Sequence, residues 1–208
     1  LSGELNLLAI ANAVSTNEVN AAMGKICATP TAGSAGVVPG VLFAMAKKDP
    51  SITEEQKIRF LFTSGAFGFV VANNASISGA AGGCQAEIGS ASAMAAAALV
   101  ELAGGTPDMS AHAFAIAMKN MLGLVCDPVA GLVEVPCVKR NAAGATNALT
   151  AADMALAGIE SRIPADEVIE AMYKIGLTMP SALRETGRGG LAATPTGERL
   201  KAELFGAK

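Results

Sequence analysis

The 208 residues are enough for one domain with a real core, and a net charge of −3 without a basic, aromatic-laced stripe excludes a nucleic-acid binder. Hydrophobic residues make up 51% of the chain but aromatics only 4%, so alanine, glycine and methionine must fill the interior, which predicts closely packed helices. Mean hydropathy is +0.44, yet the apolar stretches 60–72 and 88–105 are too short or too rich in Ala, Gly and Ser to cross a membrane, and both read as buried core helices.

In chain order, 4–22 is apolar at helical spacing, with Thr16 or Asn17 able to break it in two. The loop CATPTAGSAGVVPG (27–40) follows, and its later part opens a helix through Ala46. Asp49-Pro50 marks a turn. Thr53 with Glu54 and Glu55 then starts a helix to about residue 73. The small-residue loop NASISGAAGG (74–83) leads to an alanine-rich helix at 85–103, stopped by Gly104-Gly105. Pro107 suits the first turn of a helix reaching about 122. Residues 123–136 are irregular; helices at 137–158 and 164–178 follow, then the loop RETGRGGLAATPTG (184–197) and a short charged helix. VEVPCV is the only strand candidate. The expectation is an all-α, compact helical domain with Gly/Pro-rich functional loops, spanning 1–208 and lacking an N-terminal segment, since LSGELNLLAIANAV reads as the inside of a longer protein.

Cys84, Cys126 and Cys137 lie in small-residue, Pro/Gly-punctuated surroundings. Three thiolates without a fourth partner suit a [4Fe–4S] cluster that leaves one iron open, a Lewis acid able to hold a hydroxyl and a carboxylate. Two alternatives stand beside it: buried thiols acting as small hydrophobes, and a zinc site completed by His112, the only histidine. Cys84 opens a predicted helix whose dipole would favour thiolate. Cys27 lacks the Gly/Pro setting and reads as a non-ligand. Four cysteines without a signal peptide point to a reducing cytoplasm.

Around these thiols, the loop TPTAGSAG (29–36) can offer backbone N–H groups to an anion, or simply turn the chain. Asn74 and Ser76 precede Cys84 and can bond a cluster or substrate, or cap helices. Arg140-Asn141 follows Cys137 by one helical turn, and Arg140 suits a carboxylate; Arg184 and Arg188 are further candidates. Glu87, three residues beyond Cys84 in an apolar run, is either a general base with a raised pKa or a helix-start carboxylate.

Taken together, NASISGAAGGCQAEIG, GLVCDPVAGLVEVPCVKRNA, ATPTAGSAGVVPGVL and RETGRGGLA resemble the α chain of iron–sulfur-dependent bacterial L-serine dehydratase over nearly the whole chain. The resemblance implies a helical fold and an oxygen-sensitive [4Fe–4S] cluster on Cys84, Cys126 and Cys137. It also implies conversion of L-serine to pyruvate and ammonia without pyridoxal phosphate. It further implies an oligomeric enzyme completed by a separate β-type chain, whose Ser-Ser-His-Thr type motif is absent here and whose histidine is a candidate base. Two departures stand out: the tail ATPTGERLKAELFGAK has no cysteine, and MKNMLGL has no histidine where relatives tend to carry one. On this reading Thr31, Ser34 and Arg140 meet the substrate carboxylate, with Asn74, Ser76 and Asn141 nearby, and Glu87 or Lys25 is the local alternative base. The rival readings are a cysteine desulfidase-like lyase and a non-catalytic metal protein.

Overall fold

A computed structural model describes residues 1–206, and among these no strand occurs. The helices are α1 (Gly3–Ala21), α2 (Val37–Lys48), α3 (Glu54–Asn74), α4 (Gly79–Gly82), α5 (Ser90–Leu102), α6 (Pro107–Asn120), α7 (Cys137–Leu156), α8 (Ala165–Thr178) and α9 (Pro195–Phe205). The all-α expectation therefore holds. VEVPCV is not a strand but the lead into α7. The sole sheet-like pairing among the described residues is one parallel bridge, Cys126 with Arg184.

The centre is α5. Every residue from Ser90 to Val100 is buried, as befits a helix covered on all sides by α2, α3, α6 and α7. Alanine makes this possible, because a central helix of short side chains lets neighbours approach closely. Gly144 of α7 does the same where it meets Ile88 and Val37: a Cβ there would sit 3.0 Å from both side chains. Some polar atoms inside are paired, while Ser90 Oγ is buried without a partner among the described residues. Ser92 donates to the Gly144 carbonyl at 2.8 Å and receives the Asn147 amide at 2.8 Å.

Three sequence expectations need correction. Thr16 and Asn17 do not break α1, because the Thr16 hydroxyl donates back to the Asn12 carbonyl at 2.8 Å and the Asn17 amide is buried against the Gly33 carbonyl. The 60–72 stretch is only half buried: Phe60, Ser64, Gly68 and Val71 of α3 face inward, while Phe62 is 75% and Phe69 70% exposed. The helix expected at 85–103 opens with a π-helical turn, Gln85–Gly89, before α5 begins. The start of α3 is a capping box in which Thr53 and Gln56 bond each other's backbone N–H groups. No described helix is long and apolar enough to cross a membrane.

Candidate active site

The π-helical turn places Cys84 and Glu87. Its anchor is Gln85, fully buried, whose side-chain amide donates to the Gly82 and Met172 carbonyls at 2.9 and 3.0 Å and whose oxygen accepts from Gly123 N–H at 2.9 Å. The Gln85 N–H adds a bond to the Leu124 carbonyl at 2.9 Å. These bonds tie α4, α8 and the 121–126 segment to one residue, and a widened turn of this kind recurs at functional sites. Gly83, at φ +78, lies against Met179, where a Cβ would come within 2.6 Å of the sulfur.

Cys126 sits in a backbone clamp. Its N–H donates to the Leu183 carbonyl at 2.9 Å, and its carbonyl accepts from Glu185 N–H at 2.7 Å. Next to it Asp127, 3% exposed, accepts the Leu191 N–H at 2.8 Å on Oδ2. Arg140 Nη2 lies 2.9 Å from Asp127 Oδ1, a largely buried ion pair. The other Arg140 nitrogen, Nη1, donates to the Val125 carbonyl at 2.8 Å. Cys137 is the first residue of α7.

The three thiols converge. Cys84, Cys126 and Cys137 are all buried and free, and together with Thr31, Glu87 and Glu185 they line one cavity of about 240 Å³. The Cys84 and Cys126 sulfurs and a Glu87 oxygen lie within 4.8 Å of one another, so this set is able to hold a metal. Cys137 lies outside that tight group. A single zinc ion needs its donors about 2.0–2.3 Å from one centre, whereas sulfurs spread around a cavity suit a larger body with several irons. Soft, buried thiol donors also fit iron–sulfur chemistry. The chemistry of these donors is therefore compatible with a metal cluster.

The electrostatics differ from thiol to thiol. The neighbouring Cys126 thiol, reinforced by the Arg140 charge, lowers the Cys84 pKa against the cost of burial. Cys126 is correspondingly raised, by Cys84 first and then by burial. Burial pushes Cys137 up to about 12. Burial also raises Glu87, partly offset by the Thr31 hydroxyl, which donates to Glu87 Oε1 at 2.8 Å.

Of the other residues singled out in the sequence, Thr31 lines the cavity; Arg140, Ser34, Asn141, Asn74, Ser76 and Lys25 do not. Ser34 is fully buried and braces its own loop through the Thr29 and Thr31 carbonyls. Asn141 accepts from Gly36 N–H at 3.0 Å and donates to the Gly33 and Cys137 carbonyls at 2.8 and 2.9 Å, which ties the 29–36 loop to α7. Asn74 bonds the Val70 carbonyl and lines a separate pocket beside Asp166 and Glu170. Ser76 accepts from Ser78 N–H. Lys25 and Cys27 are exposed on the loop after α1. Arg184 reaches the Ala81 carbonyl, and Arg188 is exposed. His112 accepts from Ser161 N–H at 3.3 Å and is not among the cavity's residues, so the zinc site completed by it does not form. Glu185, Asp127 and Gln85 were not signalled as site residues; only the Gly-rich setting of Glu185 pointed to its loop.

Residues 1–192 match the family model described as Serine dehydratase alpha chain. The chain belongs to this family. It is 78% identical over 207 residues to the "Probable L-serine dehydratase, alpha chain" of Bacillus subtilis, covering 99% of this chain and 68% of that one. A protein of the same printed name from Latilactobacillus sakei is 67% identical over 203 residues, covering 98% of this chain and 97% of its own length. "L-serine dehydratase 1" of Escherichia coli is 47% identical over 181 residues, which is 86% of this chain but 40% of that protein. The matched region is thus nearly all of one relative, about two thirds of another and less than half of the third.

Proposed function

We propose that this chain is the α subunit of an L-serine dehydratase. It converts L-serine to pyruvate and ammonia, without pyridoxal phosphate, at a [4Fe–4S] cluster held by Cys84, Cys126 and Cys137. One observation carries this reading: three buried thiols from three separate segments meet at one cavity, in a chain of this family. When bound, a cluster with one iron free of protein ligands supplies a Lewis acid for the substrate's oxygens.

The chain's own residues supply the surroundings. Ala32 and Gly33 line the cavity, and their backbone N–H groups, without a partner among the described residues, are the donors this reading gives to the substrate carboxylate. Thr31 adds a hydroxyl beside them. Ser34 and Asn141 hold that loop in shape. The Arg140 charge favours the ionised form of Cys84 and fixes the Cys126–Asp127 segment. Glu87, the buried carboxyl in the wall, is the group of this chain placed to take the substrate's α-proton; a histidine on a separate β-type chain is the other candidate. Lys25, exposed outside the cavity, has no such placement.

The test is anaerobic reconstitution with iron and sulfide, followed by electron paramagnetic resonance with and without L-serine. A cluster signal that shifts with L-serine, together with pyruvate release in the presence of the β-type chain, is the expected result. A preparation that takes up one zinc and no iron would overturn the cluster. Faster sulfide release from L-cysteine than ammonia release from L-serine would move the assignment to desulfidation.

A further inference from the structure

The geometry points to Glu185 as the residue that binds the substrate's ammonium group, an inference that rests on the amino-acid lyase reading above. An amino acid brings three handles to a site. Its carboxylate and hydroxyl carry oxygens suited to a metal or to N–H donors. Its ammonium group has no lone pair to offer a metal and needs an acceptor, best an anionic one. Two carboxylates line the cavity, Glu87 and Glu185.

Glu87 is buried with one oxygen taken, and the reading above already gives it the α-proton. Oε1 takes the Thr31 hydroxyl, Oε2 faces the Cys126 sulfur at 3.9 Å, and the residue is 9% exposed. Glu185 is the opposite case. Its carboxylate has neither a hydrogen bond nor an ion pair among the described residues, and the residue is exposed. The backbone holds it in place: its N–H is bonded to the Cys126 carbonyl at 2.7 Å, and the neighbouring Leu183 carbonyl takes Cys126 N–H at 2.9 Å. The residue therefore sits in a fixed register beside a proposed cluster ligand.

Its conformation adds a second, independent observation. Glu185 has φ +63, in the left-handed region that glycine occupies freely. Gly187 and Gly190 of the same loop take such angles, at φ +61 and +57. A glutamate where the loop elsewhere uses glycine places a carboxylate at the cavity at a conformational cost.

The experiment uses the α chain assembled with its β-type chain and carrying its cofactor, and compares wild type with E185Q and E185G. Glycine is chosen because it keeps the left-handed backbone while removing the side chain. Three probes are used: L-serine turnover, D-serine binding, and binding of 3-hydroxypropanoate, which keeps the hydroxyl and carboxylate but lacks the ammonium group. Loss of one charge-assisted bond predicts a roughly 10- to 100-fold weaker D-serine affinity and a matching rise in KM for L-serine. Binding of 3-hydroxypropanoate should be unchanged or tighter, because a negative charge near an anion has been removed. Equal losses for both probes in both variants, or undiminished D-serine binding by E185G, would overturn the assignment. Failure of the lyase reading would appear separately, as wild-type enzyme that releases no pyruvate from L-serine, while the binding comparison of D-serine with 3-hydroxypropanoate still reports on Glu185.

Discussion

Gly79 shows how little room the candidate site leaves at the scale of one residue. A Cβ there would lie 2.4 Å from Glu87 Oε2 and 3.0 Å from the Cys126 sulfur. Gly79→Ala must push both groups aside, at an expected cost of about 1–3 kcal/mol in stability. Iron content per chain after reconstitution should fall together with the melting temperature. Cys84→Ser, Cys126→Ser and Cys137→Ser should each lower iron loading and reduce dehydration more than about 100-fold, beyond the loss typical of a residue that merely supports a ligand. Circular dichroism should show the helical content intact, since serine nearly matches cysteine in size at these buried positions; unfolding of all three variants would instead mark them as packing residues. The cysteines were legible because glycine and proline around them announce irregular backbone. Glu185 was not, because one acid in a Gly-rich loop looks like any solvated surface charge. Spacing brought Asn141 and Arg140 near Cys137 but could not show that Asn141 spends its hydrogen bonds on Gly33, Gly36 and Cys137, or that Arg140 turns to Asp127 and the Val125 carbonyl.

At the scale of elements, the π-helical turn Gln85–Gly89 and α5 divide the work: one shapes the site, the other fills the core. Gln85→Leu would strand the Gly123 N–H without its acceptor and leave two carbonyls short of a donor. It should cost roughly 1–3 kcal/mol for each group left buried and unpaired, read by chemical denaturation. In α5, Ala96 has no exposed surface. Ala96→Leu should destabilise by about 1–3 kcal/mol through overpacking, a fall of roughly 2–12 °C in Tm for a chain of this size. The helices were readable from caps and breakers: Thr53, Gly104-Gly105 and Pro107 mark ends that the structure keeps. The π-helical turn carries no such signal, because its extra residue is imposed by Gln85 reaching α8 and the 121–126 segment, contacts distant in sequence. Periodicity alone likewise could not separate the inward and outward faces of α3.

Across the whole molecule, the proposed ligands come from three places: the end of the α4 segment, the irregular stretch before α7, and the first residue of α7. A cluster bound to all three links these parts in the folded state only, so loading should raise Tm and slow amide exchange at 123–137 and 183–191. Exposure to air should reverse both effects, as read by hydrogen-exchange mass spectrometry before and after cluster loss. Equal exchange with and without iron would mean that the cluster is not held by these segments.

The clamp on Cys126 and Asp127 also bears on where the chain can change in length. Most surface connections absorb added residues at little cost. The exposed turn at Asp49–Ser51 is of that kind, and two inserted residues there should leave both expression and activity near wild type. The 184–191 segment differs, because Leu183, Glu185 and Leu191 each bond to the Cys126–Asp127 dipeptide. The same two residues placed between Gly187 and Arg188 would shift one attachment relative to the others and drag a sulfur off its position. Families built on this fold should therefore vary their outer turns freely while keeping this one stretch at constant length.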